Sequence, residues 1–175
     1  MPSKLIFLAW NHAHNKSRIH SLADKFKKEY PEIYIQDYQH RWSEYPNMDL
    51  EEELEILINE TQEDKEPIII AKSMWAILAL MLMVEKNIKP KKCVFMWFPM
   101  WFVDRSDFPF EEYLSQIEIP ILFIQKTNDP TGRFEDIKES LIWFSDKFSF
   151  KEIPWSNHEY DDLPELKKII LEYLG

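Results

Sequence analysis

Residues 67–84 read Pro-Ile-Ile-Ile-Ala-Lys-Ser-Met-Trp-Ala-Ile-Leu-Ala-Leu-Met-Leu-Met-Val. The segment opens as a β-branched run and continues as a long apolar run of helix formers. Only Ala71-Lys72-Ser73 separates the two, too little for a loop. The pattern therefore predicts a buried strand that becomes a buried helix within about three residues. Such a turn is sharp, and the side chain at its tip, Ser73, stands clear of the sheet. Taken alone, the pentapeptide 71–75 also fits a plain serine N-cap of a helix.

The remaining segments set this one in context. Residues 5–10 form a continuous apolar run, as in a strand buried on both faces. A polar loop follows at 11–16, then a helix over 17–30 with Ile19, Leu22, Ala23 and Phe26 inward, ended by Pro31. Strands are expected at 33–38, 68–70, 93–98, 121–125 and 148–153. Helices are expected at 50–61, capped by Asp49, and at 111–116, 134–144 and 163–174. Residues 99–110 are aromatic, broken by two prolines and aperiodic. Six strands alternating with helices specify a largely parallel sheet covered on both faces, an α/β three-layer sandwich. No internal repeat, linker or second domain is visible, so residues 1–175 are expected to form one domain.

Bulk properties exclude several function classes. The 175 residues are 45% hydrophobic and 15% aromatic, enough for one sizeable core. A formal charge of -10 leaves no basic stripe for nucleic acid or an anionic membrane. The two glycines, Gly132 and Gly175, cannot build a phosphate-cradling loop, so no nucleotide cofactor is expected. His12, His14, His20 and His40 match no zinc spacing, and no metal is expected. The single cysteine, Cys93, lies in an apolar strand and reads as a buried structural thiol. One thiol and a start, Met-Pro-Ser-Lys, unlike a signal peptide point to the cytoplasm. The longest uncharged apolar run, 73–84, is too short to span a bilayer.

Three chemically active side chains follow three strands in the order Ser73, Asp129, His158. Residues 71–75 are similar to the nucleophile elbow of the α/β-hydrolase family, Gly-x-Ser-x-Gly, with Ala71 and Trp75 where the family has glycine. The strand and turn 121–130, ending in Asp129-Pro130, resemble that family's acid-bearing turn. Ser156-Asn157-His158 resembles its histidine loop, and 93–99 its strand after the elbow. The chain looks like a small cap-less member close to the dienelactone-hydrolase-like group. The resemblance implies a sheet order of 2-1-3-4-5-6 and hydrolysis of a small ester, thioester or amide. It implies Ser73 as nucleophile, His158 as base and Asp129 as the acid that orients it. The oxyanion donors would be the Met74 N–H and one from the loop containing Asn11, His12 and Ala13. The family's pair after its first strand aligns with either Trp10-Asn11 or His12-Ala13. Trp75, Trp101 and Phe102 are expected to touch a small apolar acyl or aromatic substrate, with residues 98–110 as roof or as ordinary core cover. Lys72 is expected to face solvent. The alternative is a binding or scaffold protein on the same fold, suggested by Trp75, the absent glycines and the exposed-looking Trp101-Phe102 segment.

Overall fold

A computed structural model describes residues 3–8, 16–36, 49–61, 66–130, 132–144, 146–156 and 161–175. The predicted turning point forms as expected. β3 (Ile68–Lys72) is buried at every position and α3 (Met74–Glu85) begins one residue after it ends. Ten consecutive α3 residues, Met74 to Met83, are buried. A helix apolar all round has to be enclosed on all sides. The sheet covers one side of α3, and α2 (Leu50–Thr61) and α5 (Phe110–Ser115) pack against it.

The other strands are β1 (Leu5–Leu8), β2 (Ile33–Gln36), β4 (Lys92–Met96), β5 (Ile121–Lys126) and β6 (Phe148–Ile153). All pair in parallel, in the order β2-β1-β3-β4-β5-β6. The central strands are buried on both faces and read as unbroken apolar runs. The edge strand β6 is buried only at its ends, Phe148 and Ile153, with its four middle positions exposed or half-buried. Right-handed crossovers put α1 (Lys16–Asp24) on one face, and α2, α3, α5 and α6 (Phe134–Leu141) on the other. α7 (Leu163–Leu174) returns to pack on α1. Asp49 caps α2 as expected, its carboxylate accepting the N–H groups of Glu51 and Glu52. Lys92 closes the far end of α7 by donating to the carbonyls of Tyr173 and Leu174 at 2.7 and 3.1 Å. Among the described residues no helix is long and apolar enough to cross a membrane.

Several boundaries differ from the sequence reading. α1 stops at Asp24. Beyond it, three-residue backbone bonds such as Phe26 N–H to Ala23 C=O carry the chain through a tighter turn that keeps Phe26 buried. β4 stops at Met96, because Trp97 swings to a φ of 51°. α6 ends at Leu141 rather than 144. The aperiodic segment 99–110 contains a single helical turn, α4 (Met100–Val103), between its two prolines. Residues 9–10 and 37–38, the predicted ends of the first two strands, lie outside the described residues.

Cys93 is fully buried, and that burial pushes its thiol far above the ordinary value. A thiol kept protonated and covered does not react. Iodoacetamide is expected to leave the folded protein unmodified and to alkylate Cys93 only after denaturation. Modification in native buffer, read by intact mass, is the contrary result.

Candidate active site

Ser73 occupies the tip of the β3–α3 turn at φ 61° and ψ -136°. A residue with a Cβ reaches this region only at a cost of about 1–3 kcal/mol. Ser73 stands at the N-cap position of α3, yet its hydroxyl makes no capping hydrogen bond. The plain N-cap reading therefore fails on geometry, and the Oγ is not committed to the helix end. The Met74 N–H directly behind it is the first α3 amide without an intrahelical acceptor.

What holds the turn is the neighbouring strand exit. The Ser73 N–H donates to both the Met96 and the Trp97 carbonyls at 3.1 Å. Trp97, in the left-handed region, in turn donates its N–H to the Ile124 carbonyl at 3.0 Å. The elbow of β3 is thus tied through β4 to β5 by main-chain groups.

The acid turn continues the same line. Asp129 is 1% exposed, although it opens an Asp-Pro turn of the kind usually found at the surface. Gln125, itself buried, donates Nε2 to the Gly132 carbonyl at 2.5 Å, and the Gly132 N–H returns to the Asp129 carbonyl at 3.1 Å. The Thr127 N–H reaches the Ile153 carbonyl at 3.0 Å, and the Asn128 N–H the Trp155 carbonyl at 3.2 Å. Asp129 therefore lies beside the chain leaving β6, three residues before His158. His158 lies outside the described residues, as do Asn11, His12 and Ala13. Ser73 and Asp129 both stand at the carboxyl edge of the sheet, on strands separated only by β4.

Two expectations need correction. Lys72 does not face solvent. It is 4% exposed, with its ammonium 5.9 Å from the centre of the Trp97 ring. β3 is enclosed on both faces to its last residue, so a lysine there is buried along with the rest, and the indole face receives its charge. Trp75 does not offer a substrate contact. It is fully buried as the second residue of α3, where the family pattern has glycine. Fully covered, its indole has no surface to give a ligand. Trp101, by contrast, is 40% exposed and Phe102 half-buried, the two rings meeting edge to face at 6.1 Å.

Sequence reasoning missed Lys72, Trp97 and Gln125. A signal existed for two of them. A polar side chain within an unbroken apolar strand needs a buried partner, and Lys72 and Gln125 are such residues. Nothing in the sequence announces the backbone of Trp97.

A family model for the alpha/beta hydrolase domain matches residues 10–168. No curated protein sequence matches the chain. Among solved structures, it is similar to a protein from Bacillus cereus at 20% identity and a TM-score of 0.72, over 99% of this chain but only 59% of that one. It is similar to an N-formylmaleamic acid deformylase from Pseudomonas putida at 12% identity and a TM-score of 0.77, over 97% of this chain and 92% of that one. An esterase from Pyrococcus furiosus aligns at 15% identity and a TM-score of 0.74, over 98% and 82% of the two chains. At these identities the likeness is one of fold.

Proposed function

The chain belongs to the alpha/beta hydrolase domain family, and from that membership we propose that it is a serine hydrolase of a small ester, thioester or amide, built as one domain over residues 1–175. Ser73 Oγ attacks the substrate carbonyl carbon while His158 takes its proton. The carbonyl oxygen becomes an oxyanion, held by the Met74 N–H and by a second donor from Asn11 or His12. The bond to the leaving group breaks, His158 returns the proton to it, and an acyl group remains on Ser73. Water, deprotonated by the same imidazole, then attacks the acyl carbon; the bond to Ser73 Oγ breaks, Oγ regains the proton from His158, and the acid leaves. Asp129 fixes the imidazole tautomer and stabilises its charged form.

The observation that carries this reading is the backbone of Ser73. A serine kept at φ 61°, with its hydroxyl making no capping bond, presents that hydroxyl at the edge where Asp129 is also found. β3 and β5 lie two strand spacings apart, about 9–10 Å. An imidazole with a hydrogen bond of about 2.6–3.2 Å on each side is the group that fits between their side chains. Trp101 and Phe102 favour an apolar acyl or aromatic substituent. The single buried thiol supports a cytoplasmic setting.

Ser73 is only 8% exposed, and this favours the second reading, a binding protein on the same fold. A fluorophosphonate probe separates the two. It is expected to label the folded protein at Ser73, located by peptide mass spectrometry. Absence of labelling, beside a related hydrolase that labels, overturns the enzyme reading.

A further inference from the structure

A cleft of about 660 Å³ lies between α4, the start of α5 and the end of α6. That is within the range of about 300–1,000 Å³ usual for small-ligand sites. Its apolar wall is Met100, Val103, Phe108, Phe110 and Phe144. Phe110 is buried and stacks on Phe98 with centroids 5.3 Å apart, while Phe108 packs on Tyr113 at 4.7 Å, so the aromatic wall is anchored in the core. The polar lining is of one sign: Asp104, Glu111 and Glu112, with no basic side chain among the lining residues. None of these three acids forms an ion pair with another described residue.

We propose that this cleft binds a small alkylammonium ion, its chain against Phe108, Phe110 and Phe144 and its ammonium among Asp104, Glu111 and Glu112. Aromatic faces attract cations, an alkyl chain gains by leaving water, and carboxylates accept the N–H groups of an ammonium. An anion meets three like charges there. A neutral apolar molecule has the wall but not the charges. The cleft does not include Ser73, and its occupancy does not depend on whether Ser73 is a nucleophile.

Methyl NMR on protein carrying 13C-methyl methionine tests it directly. Met100 lines the cleft and is identified among the seven methionines by the Met100→Leu variant. Butylammonium chloride is titrated at constant ionic strength beside its neutral analogue butan-1-ol. Butylammonium is expected to shift the Met100 signal in a saturable way, and butan-1-ol to bind at least about tenfold more weakly. The Asp104→Asn, Glu111→Gln, Glu112→Gln triple variant, changed only at exposed positions, is expected to lose about tenfold in butylammonium affinity. Three results overturn the proposal: butan-1-ol binding as tightly as butylammonium, a butylammonium response that does not saturate at Met100, or a triple variant that binds like the parent.

Discussion

Ser73→Ala is expected to lower the turnover of p-nitrophenyl esters by about 10⁴- to 10⁶-fold while leaving the melting temperature within a few degrees of the parent. The size follows because, in the proposed mechanism, Ser73 Oγ is the atom that forms the acyl bond. The stability follows because Ala keeps the Cβ, hence the strained backbone, and the lost hydroxyl made no capping bond. Ser73→Gly sharpens the test. Glycine tolerates a φ of 61° without a Cβ penalty, so this variant is expected to be equally inactive and more stable by about 1 kcal/mol. For a chain of this size that corresponds to about 2–4 °C. Loss of activity with gained stability is the mark of a residue held in place for chemistry. A Ser73→Ala protein retaining a tenth or more of the rate removes Ser73 from the mechanism.

The second large effect is on stability. Trp75→Gly restores the glycine of the family's elbow pattern, yet it is expected to destabilise the protein. The indole is fully buried, and emptying such a site costs about 3–5 kcal/mol when alanine is the replacement. Glycine inside a helix adds about 1 kcal/mol. The midpoint of thermal unfolding should fall by about 8–24 °C. An unchanged or raised midpoint shows instead that α3 closes onto the sheet once the ring is gone, and that the indole is no filler.

The centre of the fold was legible because burial on all sides leaves an uninterrupted apolar record. Residues 67–84 needed no periodicity analysis, since neither β3 nor α3 has a polar face. Asp129 was legible from its place after an apolar strand and before Pro130. Its near-complete burial was not, because that depends on Gln125 and on the chain leaving β6, which are remote or uninformative as local sequence. α4 escaped notice because a four-residue helix between prolines has no period to detect. Lys72 was misread through the ordinary habit of lysine to seek solvent. The strand register around it, with Ile68 to Ala71 all inside, was the better guide. Trp75 shows a different limit. An oversized side chain in a position usually reserved for the smallest one can block a site or fill a void, and only the packing around it tells which. The expectations for Asn11, His12, Ala13 and His158 lie outside the described residues and rest on the proposal above.

The run of main-chain hydrogen bonds from Ser73 through Trp97 to Ile124, and from Asn128 to Trp155, has a consequence for how this rim can change. Its scaffold is peptide backbone, so it does not care which residues supply the links, proline excepted. Replacement of exposed side chains along this edge should therefore leave the frame intact, which makes it a sound starting point for directed diversification.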